Sequence, residues 1–415
     1  MKTLSRRIPF LLAFAAAVPG PSALAQGDRT SEPLALVRAN VLDVRAGRIL
    51  ANQTVILRGG RVESVSTAAP AAGVKVVDLG GRTLVPGLVD AHTHIANLAA
   101  AKRALESGVT TVRSSGAAHF VDVSLRELAK SGAIAGPDVL AAGYHVRDRI
   151  AEEAFYSDPT LADLMGGVKT IPDIRRVVRM NLARGVDWIK INATERAGTP
   201  DTDPRKQMWS EAEIRAIVEE AALKGVRVQA HAHGAEGALA AVKAGVASLE
   251  HGTYLTDEAL DLMKQKGTAF VPTYSTVIDL AEPGGDYDHP VLILRGQAML
   301  KQLGDAVARA HRKGVLIVTG ADTSYGPASI TRVSHEVANF VKLGMTPIDA
   351  IRAATVNAAI LLRLEKSIGA IEPGLEADLV AVAGNPLEDA DTLQDPLLVV
   401  SNGRVVLDRL NFGKK

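Results

Sequence analysis

Eight short apolar runs, set between helix-like stretches, constrain this chain more than any other feature. They lie at residues 84–94, 109–115, 138–143, 188–192, 226–233, 248–252, 269–274 and 316–322. Short apolar runs bounded by turn residues read as buried strands. The stretches between several of them read as helices. Over 210–224, Ser210 with Glu213 three residues later forms a capping box. A second helix is expected over 235–243. Strand–helix alternation repeated eight times is the pattern of an α/β fold, a (β/α)8 barrel of the TIM type. A doubly wound sheet is the alternative.

Both ends of the chain read differently. Residues 34–37, 53–57, 61–65 and 74–78 are strand-like, with Gly59-Gly60 and Gly80-Gly81 as turns. Residues 377–382, 396–400 and 404–407 repeat this near the C-terminus, with Asn402-Gly403 as a hairpin signal. The expected division is a small β-sandwich built from 26–83 and 366–415, with the barrel over 84–365 inserted between. The stretch 144–187 is long for a strand-to-helix connection, and such insertions often form lids or pockets at a barrel mouth.

Residues 1–25 are set apart from the fold. Lys2, Arg6 and Arg7 precede a short apolar stretch, and Ala23-Leu24-Ala25 is a small-residue cleavage site. The expectation is an export signal, cut before Gln26, and a periplasmic or extracellular protein. That apolar stretch is too short for a stable span, and no later one is long enough, so no stable membrane association is expected. With 47 Lys and Arg against 46 Asp and Glu, the charge gives no case for a nucleic-acid partner. There are no cysteines, so disulfides, Cys nucleophiles and Cys-held zinc are excluded.

The chemistry sits at the strand ends. His92 and His94 share one face of the first strand, since i and i+2 do. Lys190, His231, His251 and Asp322 stand on the fourth, fifth, sixth and eighth strands. In a barrel these ends converge on the catalytic face. Imidazoles and a carboxylate gathered there suit zinc or a similar divalent ion. Lys190 is the odd member, because an ammonium cannot ligate a metal and is costly to bury unpaired. Either it pairs with a carboxylate, or CO2 converts it to a carbamate able to bridge two metals.

These motifs resemble the amidohydrolase superfamily in its binuclear, carboxylated-lysine form. Pro86-Gly87-Leu88-Val89-Asp90-Ala91-His92-Thr93-His94, Gln229-Ala230-His231-Ala232-His233-Gly234, Glu250-His251-Gly252 and Thr319-Gly320-Ala321-Asp322 carry the resemblance. Gly374-Leu375-Glu376-Ala377-Asp378-Leu379-Val380 matches the returning sandwich strand. Within the superfamily the chain is similar to the Xaa-Pro dipeptidase-like and imidazolonepropionase-like branch, and there to ochratoxin-degrading amidohydrolases. Those cleave an amide between an aromatic acyl group and phenylalanine. The resemblance implies two divalent ions, zinc by expectation. His92, His94 and Asp322 would hold the deeper one, and His231 and His251 the outer. Carboxylated Lys190 and a hydroxide would bridge them. It further implies a small amide or dipeptide substrate and a homo-oligomer. Asp322 is then placed to accept the proton of the attacking water and pass it to the leaving amine.

Other residues are candidates on weaker grounds. His233 shares a face with His231 and would polarise the carbonyl, bind a carboxylate or only support the site. His145 and Tyr144, after the third strand, are candidates for substrate binding, as are Arg147, Arg149 and Tyr254. His119, His289, His311 and His335 read as surface or core residues, and Asp90 as a structural group deeper in the barrel. Competing readings are opening of cyclic amides, lactone hydrolysis and phosphotriester hydrolysis on the same centre. A deaminase is disfavoured, since Glu236 lies five residues after His231, although His233-Gly234-Ala235-Glu236 does spell H-x-x-E. A non-catalytic binding protein on the same fold would be expected to lack a ligand, and none is missing.

Overall fold

A computed structural model describes residues 32–410, so the expected export signal lies outside the described residues. The strands are β1 Leu34–Asp43, β2 Arg48–Arg58, β3 Arg61–Ser66, β4 Lys75–Asp78, β5 Thr83–Pro86, β6 Leu88–Thr93, β7 Val109–Ser114 and β8 Asp138–Leu140. They continue with β9 Trp188–Asn192, β10 Arg227–Ala232, β11 Ser248–His251, β12 Ala269–Val271, β13 Leu379–Val382, β14 Leu398–Ser401 and β15 Arg404–Asp408.

The strands expected at the two ends join in one mixed sheet of eight, ordered β15-β14-β13-β5-β1-β2-β3, with β4 also on β1. Leu36, Val41, Val55, Leu57, Leu84, Leu379, Leu398 and Val400 pack into a core of its own. The strand expected over 84–94 is divided. Residues 83–86 pair with β1 and β13 in the terminal sheet, and the parallel layer starts at Leu88. Gly87 is the crossing point. Its N–H donates to Asp378 O at 2.8 Å. A Cβ there would lie 2.1 Å from Thr110 Oγ1, so only glycine lets the chain pass between the sheets.

Seven of the expected central strands are present and pair in parallel as β6-β7-β8 and β9-β10-β11-β12. β6, β7 and β9 are buried along their whole length, as strands covered on both faces must be. Backbone bonds join the two sheets on one side through Trp188 N to Ala141 O at 3.0 Å and Val146 N to Lys190 O at 2.8 Å. On the other side the expected eighth strand is an irregular segment. It takes Phe270 N on Leu316 O at 2.8 Å and gives Asp322 N to His92 O at 2.8 Å. Asp322 has φ 45° and Thr319 N turns aside to Ala353 O, which together interrupt a regular ladder.

Helices cover the outside. Ser210 caps Glu211–Ala222 with both bonds of the expected capping box. The second expected helix spans Ala235–Ala244. The long connection 144–187 carries short helical turns at Glu153–Ser157 and Pro159–Gly166, then the helix Ile171–Ala183. No helix among the described residues is long and apolar enough to cross a membrane.

Candidate metal centre

The C-terminal ends of the parallel segments meet in one cleft. β6 delivers His92, with His94 one residue beyond its end. β9 brings Lys190 and Asn192, β10 brings His231 with His233 just after, and β11 ends on His251. His145 and Asp322 also line it. All six expected ligand residues are therefore brought together, and His145 and His233 join them.

The imidazoles form a continuous series. Ring centroids lie 6.1 Å apart for His94–His145, 5.6 Å for His92–His94, 5.0 Å for His92–His251, 4.5 Å for His231–His251 and 4.7 Å for His233–His251. Each ring has at least one nitrogen engaged. His92 Nδ1 meets Glu250 Oε2 at 2.7 Å, and His94 Nδ1 meets Gly116 O at 3.2 Å. His145 Nδ1 meets Asn192 Oδ1 at 3.0 Å, and His231 Nε2 meets Glu195 O at 3.1 Å. His233 Nδ1 faces Thr253 Oγ1 at 2.9 Å, and His251 Nδ1 faces Thr273 Oγ1 at 2.7 Å. Fixing one nitrogen orients the other, which is how metal-binding histidines are set. Burial pushes His92, His145, His231 and His251 well below the ordinary imidazole range and His233 down to about 3. They are held as neutral rings, the form a metal takes.

In the cleft, two groups among the described residues have ligand atoms close enough to share an ion: His231, His233 and His251, and His92, His251 and Asp322. Asp322 Oδ1 also lies 3.2 Å from His94 Nε2 and 3.4 Å from His92 Nε2. Burial works against this carboxylate, but His92, His94 and Lys190 around it hold it below the usual range. His251, Thr273 and Asp322 all have positive φ, strain of a kind that collects at functional sites. The donor set fits divalent ions.

Lys190 is buried, and Nζ sits 3.2 Å from His92 Nε2. No carboxylate oxygen lies within 4.0 Å of it among the described residues, so a direct ion pair does not hold it. Burial lowers the amine to about 8, against the opposing pull of Glu250 and Asp322.

Sequence reasoning passed over the support beneath His92. Arg113 is wholly buried with its guanidinium 4.6 Å from the centre of the Trp188 ring. It donates to Glu250 Oε1 at 2.9 Å, Ser248 Oγ at 2.9 Å and Ala91 O at 2.7 Å. Glu250 thus holds His92 with one oxygen and Arg113 with the other. Glu250→Ala leaves the guanidinium buried and uncompensated, and it lowers the unfolding free energy by about 3–5 kcal/mol. Denaturant titration measures it, and Arg113→Met in the same chain recovers part of the loss. A single variant within 1 kcal/mol of the parent would show that the pair is not needed.

Asp90 is the structural group expected. It accepts from Ala321 N at 3.0 Å and Tyr325 OH at 2.8 Å, and so fixes the turn that presents Asp322. Burial raises it to about 7. Tyr144 is turned away from the cleft. Its hydroxyl accepts from His119 N at 2.8 Å, and it lines a side cavity with His94, His145, Arg147 and Arg196. Arg149 and Tyr254 do not line the cleft, nor do His119, His289, His311 and His335. Glu236 is exposed at the start of its helix, away from the cleft, which removes the deaminase motif's general base. Arg196, Tyr287 and the apolar wall of Ala197, Val277 and Leu280 also line the cleft and had no sequence signal, being loop or helix residues without strand periodicity.

The amidohydrolase family profile matches residues 83–406. Ochratoxinase from Aspergillus niger is 31% identical over 360 residues, covering 76% of this chain and 73% of that protein. Its crystal structure superposes with a TM-score of 0.76 at 27% identity, over 91% of this chain and 96% of the other. A Xaa-Pro dipeptidase with methionine in its active site superposes with a TM-score of 0.79 at 28% identity, over 90% and 99%. With this ligand set at the ends of parallel strands, the chain belongs to the amidohydrolase family and is a hydrolase acting on amide bonds.

Proposed function

We propose that this chain is an exported two-metal amidase for dipeptides or N-acyl amino acids with a free carboxylate, built on a (β/α)8 barrel. The observation that carries the reading is the pair of guanidiniums beside the metal ligands. Arg147 and Arg196 line the side cavity that shares His94 and His145 with the cleft, and Arg196 lines both. Neither has a carboxylate within 4.0 Å among the described residues. Burial and then Arg196 push Arg147 below its ordinary range, which an incoming carboxylate would relieve. Across the cleft, Val277, Leu280 and the Tyr287 ring form an apolar wall for the acyl group. Ochratoxin A, split to phenylalanine and ochratoxin alpha, is an aromatic member of that class.

His92, His94 and Asp322 would hold one divalent ion and His231 and His251 the other, with His233 in reach of the second. Zinc suits these nitrogen-rich sets. Lys190, carboxylated by CO2 with loss of a proton, would join them. Bound there, such ions supply Lewis acidity and lower the pKa of a water between them. The chain's residues do the rest. Arg147 and Arg196 anchor the carboxylate, and Asp322 takes a proton from the attacking water and returns it to the leaving nitrogen. Cyclic amides, lactones and phosphotriesters are the alternative substrates, and unpaired guanidiniums disfavour the neutral ones. Assembly as a homo-oligomer is part of the same proposal.

The test is metal analysis with a substrate panel: N-acyl amino acids, their C-terminal carboxamides, hydantoins, lactones and phosphotriesters. We expect two metals per chain and a preference of about 10–100-fold in kcat/KM for the free acid over the carboxamide, the worth of a charged hydrogen bond. Equal rates on acid and carboxamide would sink the carboxylate reading.

A further inference from the structure

The loop between the helices Tyr274–Ala281 and Pro290–Lys313 places one phenol on the cleft wall. Tyr287 is held there by its surroundings. Asp279, buried at the end of the preceding helix, accepts from Asp286 N at 3.1 Å, and Ser329 donates to Asp286 Oδ2 at 2.9 Å. Gly285 allows this, since a Cβ there would lie 2.0 Å from Asp279 Oδ1. On the cleft side the ring lies against Gly198, where a Cβ would come 2.6 Å from Tyr287 Cε1. Two glycines and two polar contacts thus fix where this side chain stands.

Its hydroxyl has no hydrogen-bond partner among the described residues. A buried tyrosine ordinarily finds one, whereas this side chain is half-buried. Tyr144 does, through His119 and Ser157. A phenol carries an O–H donor across the neutral pH range. Tyr287 lines the cleft together with Asp322, His233 and the apolar wall.

We infer that Tyr287 is a catalytic residue that donates a hydrogen bond to the oxygen of the scissile carbonyl as negative charge develops there, with Gly198 as the residue that lets it reach. The inference rests on the amidase reading above. No proton leaves Tyr287; the carbonyl oxygen gains charge as water adds, and the phenol O–H solvates it. Preorganised donors of this kind strengthen in the transition state and contribute about 10²–10³-fold.

Tyr287→Phe keeps the ring and removes the donor. In the metal-loaded enzyme it is expected to lower kcat about 10²–10³-fold, with little change in KM and no change in metal content. Its affinity for a phosphonate analogue of the dipeptide, a tetrahedral mimic, should fall by a comparable factor, measured calorimetrically. Affinity for the product amino acid should stay the same. Gly198→Ala should displace the ring and lose part of the same factor, and adding it to Tyr287→Phe should cost little more. The two readings fail separately. A parent enzyme that binds the phosphonate but hydrolyses no amide counts against the amidase, and the phosphonate ratio still judges Tyr287. Tyr287→Phe with kcat and phosphonate affinity within twofold of the parent overturns the inference, as does a parent that does not bind the phosphonate.

Discussion

Asp322→Asn lowers kcat by about 10²–10⁴-fold while KM changes little, the pattern of a group used only in the transition state. The carboxylate is presented rigidly. Asp322 N is bound to His92 O, and the neighbouring Ala321 N to Asp90. Asparagine fits the same space and can still offer one oxygen to a metal, so metal content should largely survive. What it cannot do is carry a proton. The loss should therefore be smaller for an activated ester than for the matching amide, whose nitrogen must be protonated to leave. Kinetics on an ester–amide pair, with metals counted in each preparation, decide the matter. Equal losses on both at full occupancy would leave Asp322 as a base or ligand only.

Lys190→Ala should lose most of its metal and fall to a small residue of activity. The amine occupies the centre of the ligand set, 3.2 Å from His92 Nε2, and has no carboxylate partner within bonding distance. Burial lowers it to about 8, which leaves a usable neutral fraction to add to CO2. Removing the side chain opens a space that a short carboxylic acid can fill. Added propionate should restore part of both metal binding and turnover in Lys190→Ala, and none in Lys190→Arg, where the space stays occupied. Metal analysis and rates with and without propionate provide the check. A Lys190→Ala enzyme with two metals and ordinary turnover would make the lysine a structural cation and nothing more.

The sequence was most readable where periodicity and chemistry coincide. His92, His94, His231, His251 and Asp322 end apolar runs, and strand alternation alone predicts that they face one way. The irregular backbone around Asp322 did not matter, because the flanking strands fix where the segment runs. Legibility failed where a residue's partner lies far along the chain. Glu250 stands beside a ligand, yet its bonds to His92 and Arg113 cross 158 and 137 positions. Tyr287 and Arg196 are loop residues, and loops carry no period from which facing can be read. The division at Gly87 was hidden because 84–94 is apolar throughout, and two buried strands end to end look like one.

That division has a consequence for how the molecule assembles. β5 pairs on one edge with β1 and on the other with β13, as Val85 opposite Val380 shows. The partners on the second edge, such as Val85 and Val380, lie about 295 residues apart. Such a ladder cannot form early in synthesis, because closing so long a loop costs entropy before any pairing repays it. The N-terminal strands must wait, with the β5 edge open, until the parallel segments have condensed and brought Asp378 to Gly87. An open edge is a hazard for association with other chains. Docking of β13–β15 onto β5 is therefore expected late in folding, and it covers that edge.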